Sequence, residues 1–245
     1  MNTPTAKRFY TLTTLFMREQ IREPISLIWT LISPSAIFYL LSQSNTPSTT
    51  DRAYIESTAW FYAYIACSVA FFGVAYYIIG RRESGFIRSF IYAPSAKVIF
   101  LAAHIACYSA ISTLYCLAFY LITKPYFGDY DLIEATSITL KFLICFIGFC
   151  SPALILGNSK LRFQTANTLI SILMFGMILL ALFASKNQDT TSTIANLGNI
   201  FLVAKKFISG DSPTIYATVA VATLLTLSFI LTAQKLRINP VWSRY

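Results

Sequence analysis

Apolar residues along the chain gather into six stretches, at about 24–41, 59–79, 98–122, 137–157, 166–184 and 214–233. A helix rises about 1.5 Å per residue, so about 20 apolar residues cover the roughly 30 Å hydrocarbon core of a bilayer. The pattern therefore predicts an all-α integral membrane protein with six transmembrane helices, formed as one domain over residues 1–245. The first stretch is the shortest; Glu23 marks its water boundary and Pro24 suits the first turn of a helix. The fourth carries Lys141 about one turn from its start, where a long aliphatic stem can snorkel to the surface. Pro34 in the first span and Pro152 in the fourth are expected to kink or weaken their helices. No A-x-A-like cleavage site follows the first stretch, which is expected to remain as a span.

Three further segments have a pattern of their own. In residues 7–23, Phe9, Leu12, Leu15 and Phe16 share one helical face, which predicts a helix lying flat in the membrane interface. Glu19 and Glu23 continue that face, so its second half suits either a juxtamembrane anchor or a protein partner. In the loop 80–97, Phe86, Ile87, Phe90 and Ile91 form an apolar stripe on a short helix that Gly85 loosens at its start and Pro94 stops. Anionic headgroups or a partner protein could hold that helix. The apolar piece at 194–208 is too short to cross and is expected to be an interfacial or re-entrant segment.

Composition agrees with lipid as the main solvent. Charged residues make up 12% of the 245 positions and hydrophobic ones 56%, against about 25% charged in a soluble domain. A water-soluble enzyme is nearly excluded, and the 16% of aromatic residues excludes a disordered chain. The net charge of +9 is a topology signal and not a grip on nucleic acid. With the N-terminus cytoplasmic, thirteen Lys and Arg residues fall on the inner side, in the N-terminal segment, loop 80–97, the 160–162 loop and the C-terminal segment. Five fall outside: Arg52, Lys124, Lys186, Lys205 and Lys206. That asymmetry predicts both termini inside.

Candidate chemistry is sparse. Cys67, Cys107, Cys116, Cys145 and Cys150 lie in apolar stretches without a C-x-x-C pair and are expected to be small buried hydrophobes. His104, the single histidine, falls in the third span; with Cys107 as its one ligand-type neighbour it makes no zinc site, so a packing hydrogen bond is the plainer role. Asp129, Asp131 and Glu134 read as solvated turn residues, not as a metal site. Trp60, Phe61, Tyr62 and Tyr64 suit an outer aromatic belt and Tyr76 and Tyr77 an inner one. Phe71 and Phe72, between the belts, face either a transport path or lipid, with His104 a further path candidate.

Loop 80–97 resembles that of the ABC-2 permease family, the membrane subunits of type-2 ABC exporters. The family pattern there, R-E-x-G-x-x-R followed by apolar residues and a proline, is met by Arg82, Glu83, Gly85, Arg88 and Pro94. The resemblance extends over the whole chain, through a flat N-terminal helix ending in R-E-Q-I-R-E-P, six spans and an outer segment before the last one. Where family members often carry Asn-Pro in that outer segment, this chain has Asn199-Ile200.

The resemblance implies a homodimeric exporter subunit in the bacterial inner membrane, driven by two copies of a separate ABC ATPase that bind ATP and Mg. Arg82, Glu83, Gly85, Phe86, Arg88, Phe90 and Pro94 would form the coupling helix, and Arg18, Glu19, Arg22 and Glu23 would flank the same ATPase. No Walker A loop is present, since none of the nine glycines precedes a lysine, and no cofactor or metal is expected on this chain. A drug or antimicrobial peptide is the implied cargo, self-immunity included, with lipid-linked polysaccharide as the alternative. A membrane enzyme would need paired catalytic groups at one depth. An ion-driven transporter would need buried acids, and no Asp or Glu falls within a predicted span.

Overall fold

The computed structural model describes residues 3–42, 51–91, 94–186, 199–210 and 215–236. Every regular element among them is helical: α1 (Thr3–Ile21), α2 (Pro24–Ser42), α3 (Asp51–Ser68), a π-helical segment (Val69–Tyr76), α4 (Tyr77–Glu83), α5 (Phe86–Phe90), α6 (Pro94–Thr123), a 3-10 turn (Lys124–Tyr126), α7 (Leu132–Gly157), α8 (Phe163–Lys186), α9 (Ile200–Ser209) and α10 (Ile215–Lys235). Four stretches are long and apolar enough to cross a membrane: Tyr54–Glu83, Ser95–Tyr126, Leu132–Gly157 and Phe163–Leu180. Shorter apolar helices, Ile28–Ser42 and Val219–Lys235, lie where the first and last spans are predicted.

The elements outrun the predicted apolar stretches because their polar ends are neutralised. The second span continues past residue 79 to Glu83, since Arg81 and Arg82 are both buried against partners. The third begins at Pro94, which therefore opens α6 instead of stopping α5. A proline needs no N–H in a first turn, and α5 ends on the extended Ile91 (φ −106°) before it. The fourth begins at Leu132: Asp131 caps it, accepting from the Ile133 N–H at 2.9 Å, and Glu134 is paired with Lys124. Pro34 and Pro152 both sit inside continuous helices.

The core runs along one face of α3, the π segment and α4, packed on α6 and α7, with α10 on the far side of α7. Within the π segment Gly73 lets the backbone meet the Tyr108 ring of α6, and any Cβ there would collide with that ring. An aromatic cluster closes one end: Phe38 on α2 stands edge-on to Phe61, Phe119 and Tyr126, with ring centroids 5.8–6.3 Å apart.

Four sequence expectations are corrected. Lys141 does not snorkel; it is buried and its ammonium donates to the Gly210 carbonyl just beyond α9. The reason is local: an unpaired carbonyl lies within reach of the stem, and the two satisfy one another. Glu134 and Lys124 are not solvated loop residues but a buried ion pair, to which the Tyr120 hydroxyl also donates at 3.1 Å. The N-terminal helix does not bury Phe9, Leu12, Leu15 and Phe16 alike. Leu12, Phe16 and Gln20 are buried at four-residue spacing on α6, whereas Phe9 and Leu15 are exposed. In loop 80–97 the buried stripe comprises Ile87 and Ile91, while Phe86 is half-buried; the side chain of Phe90 lies outside the described residues.

Of the apolar piece expected at 194–208, residues 194–198 lie outside the described residues, and the rest is Asn199 and α9. Asn199 caps it, its Oδ1 accepting from the Phe201 N–H at 3.1 Å while its Nδ2 donates to the Met177 carbonyl at 3.0 Å. Phe201, Leu202, Ala204 and Ile208 then bury one side of α9.

Candidate functional site

At one end of the bundle α4 delivers two adjacent arginines with different tasks. Tyr77 and Arg81, four residues apart, share a helical face turned toward α1. The Tyr77 hydroxyl donates to the Glu19 carboxylate at 2.6 Å, and the Arg81 guanidinium pairs with the same carboxylate. That guanidinium is also 4.1 Å from the Phe86 ring centroid, 4.7 Å from that of Tyr77 and 5.4 Å from that of Phe16. Gln20 follows, its Oε1 accepting from the Tyr108 hydroxyl at 2.8 Å. The second half of α1 is thus fixed to α4 and α6, and Glu19 is satisfied within the chain.

Arg82 points the other way. It is 1% exposed and donates to the Ser159 carbonyl at 2.5 Å and to the Leu161 carbonyl, and its Nε lies 3.0 Å from Glu83. It therefore bolts the loop after α4 to the loop between α7 and α8. Lys97 donates to the Leu236 carbonyl at 3.2 Å, which brings the end of α10 to the start of α6.

These braces sort the predicted coupling residues. Gly85 adopts a left-handed turn (φ +75°), and a Cβ there would meet no atom within 4 Å, so only the backbone conformation favours glycine. Ser84 and Arg88 are exposed and Glu83 and Phe86 half-buried, while Ile87 faces inward. Pro94 opens α6, and its side chain, like that of Phe90, lies outside the described residues. On α1 and just beyond it, Arg18, Arg22 and Glu23 are exposed and Glu19 is half-buried.

A groove of about 850 Å³ leads away from this end between α1 and α2 on one side and the π segment, α4 and α6 on the other. Glu19, Glu23 and Arg81 stand at its polar mouth, and Phe72, Tyr76, Tyr108 and Tyr115 line its length. Of the three residues suggested for a transport path, Phe72 lines the groove, whereas Phe71 and His104 are buried in the core. His104 is enclosed by Phe16, Tyr77, Phe100 and Tyr108, with ring centroids 4.8–6.0 Å away, and its Nε2 lies 3.4 Å from the Val74 carbonyl.

All five cysteines are free and buried. No group of three His, Cys, Asp or Glu side chains converges among the described residues.

Arg81 is absent from the sequence candidates although it anchors the most connected site. The Tyr77–Arg81 spacing and the acidic Glu19 on an amphipathic helix were the available signals. Tyr108 and Tyr115 were equally hidden, because tyrosines seven residues apart in an apolar span read as core or lipid-facing.

Fold and site together define a helical membrane protein in which the end of α4 is braced from two sides. Over 231 residues the chain is 27% identical to Protein McbE of Escherichia coli, an alignment covering 94% of this chain and 96% of the other. No family model matches the chain, and no solved structure matches it.

Proposed function

We propose that the chain is the permease half of an ATP-driven exporter in the bacterial inner membrane, of the ABC-2 type. It works as a homodimer with two copies of a separate ATPase that binds ATP and Mg, and its cargo is a drug or antimicrobial peptide. In this reading α2 and α10, of 19 and 21 residues, complete six spans, and both ends of the chain face the cytoplasm. The likeness to Protein McbE through nearly the full length of both chains supports a shared architecture and not a shared loop alone.

The observation that carries the proposal is the division of labour at residues 81–88. Ser84 and Arg88 are presented outward, while Arg81 and Arg82 tie the same loop to α1 and to the α7–α8 connection. A partner pressing on the outward side moves three elements together, because the ties are buried and charge-assisted. ATPase closure then becomes a tilt of the spans, and the adjoining groove changes its access.

Co-purification with an ATP-binding subunit from the source cells tests the reading, followed by ATP-dependent uptake into inside-out vesicles. Arg88→Glu, an exposed change, or Gly85→Trp is expected to abolish uptake while the subunit remains inserted and folded. Normal uptake by both variants, or failure to bind any ATP-binding protein, would sink it. An ion-coupled mechanism is disfavoured because the buried acid, Glu134, is already neutralised by Lys124.

A further inference from the structure

We propose that the groove between α1, α2 and α6 binds an amphipathic organic cation with an aromatic body. Its volume of about 850 Å³ falls among the roughly 300–1,000 Å³ of sites for drug-sized molecules. Trp29, Tyr64, Phe72, Tyr76, Tyr108 and Tyr115 give it π-faces along its length, which suit a flat aromatic body and attract positive charge.

The mouth sets the sign of the ligand. Arg81 is matched by Glu19, so the exposed carboxylate of Glu23 leaves an excess negative charge, and Glu23 has no ion-pair partner among the described residues. An anionic headgroup would meet that carboxylate unfavourably, whereas an ammonium or iminium group would be held by it.

The deep end sets a second feature. The Tyr115 hydroxyl is buried, lines the groove and has no hydrogen-bond partner among the described residues. A buried phenol left unpaired is costly, and a ligand acceptor arriving there removes the cost. Seven residues separate Tyr108, bonded to Gln20 near the mouth, from Tyr115, a rise of about 10 Å on a helix. The ligand class is therefore an elongated aromatic cation with an acceptor, such as a carbonyl, well removed from its charge.

This names the cargo class of the exporter and, for that role, rests on the exporter reading; binding itself is measured without the ATPase. The test titrates the purified full chain in neutral detergent against rhodamine 6G, a cationic xanthene dye bearing an ester carbonyl, and against fluorescein, its anionic counterpart. Fluorescence polarisation is expected to show saturable rhodamine 6G binding and much weaker fluorescein binding. Glu23→Gln, an exposed change, is expected to weaken the dye about fivefold, in line with a single solvent-facing ion pair. Tyr115→Phe, which keeps the ring, is expected to cost a similar factor through the lost hydrogen bond. Equal affinity for fluorescein, absence of saturable dye binding, or wild-type affinity in both variants would overturn the assignment.

Vesicle uptake with the ATPase and ATP is scored separately. Dye bound through Glu23 but never moved keeps the site and removes the exporter reading. Dye moved but bound independently of Glu23 and Tyr115 does the reverse.

Discussion

Removing the Arg82 side chain tests the bracing at the end of α4 most directly. The guanidinium is 1% exposed and serves the Ser159 and Leu161 carbonyls and the Glu83 carboxylate at once. Arg82→Ala removes the donor to two carbonyls and the cation beside Glu83 at a buried junction. Hydrogen bonds from charged groups contribute about 1.5–3 kcal/mol each, and breaking one partner of a buried pair costs about 3–5 kcal/mol. The terms overlap, so a loss of about 3–5 kcal/mol is expected in total. For a chain of this size each kcal/mol moves the midpoint by about 2–4 °C, giving a fall of about 6–20 °C. The five buried thiols supply the assay: a thiol-reactive fluorophore stays dark until heating exposes them. Arg82→Lys, which can reach one carbonyl but not both, is expected to fall between. A melt of Arg82→Ala within about 2 °C of wild type, below the effect of one such bond, would refute the reasoning.

Further expectations concern other buried contacts. Lys124→Met alone should destabilise strongly by leaving Glu134 buried and unpaired, whereas Lys124→Met with Glu134→Leu should recover most of the loss in the same thermal assay. Gly73→Leu should block correct packing against Tyr108, and adding Tyr108→Ala should restore a monodisperse gel-filtration profile. Asn199→Ala removes both the cap of α9 and the bond to Met177, and should lower stability by about 1–2 kcal/mol, read as an earlier thermal transition.

The sequence pattern located the helices because apolar runs of span length have few other uses. Their ends were less legible, for one repeated reason. Arg81, Arg82, Lys124 and Glu134 read as loop markers and Lys141 as a snorkelling end, yet all five are buried with partners from other elements or turns. Their neutralisation depends on which loops meet, and a single chain of letters does not carry that information. Arg82 was legible as special, though as part of a motif and not as a strut. Glu19 suits either a juxtamembrane anchor or a partner-facing patch in the sequence, and it is spent on Arg81 and Tyr77. The groove was not legible, because it exists only where the first half of α2 stands apart from the π segment.

The eight-residue π segment, Val69–Tyr76, has a consequence for how this span can vary in length. Such segments close their hydrogen bonds one residue further along than an α-helix and so accommodate an extra residue within a continuous helix. Deleting one residue there would let the ordinary ladder re-form, but it would swing everything beyond by about 100°, the angle per residue of an α-helix. Tyr62 and Ile65 would keep their neighbours while Arg81 turned off Glu19 and Arg82 off the α7–α8 loop. The segment thus acts as a phase adjuster, and the pairing of the two arginines with opposite sides of the bundle depends on that one-residue surplus.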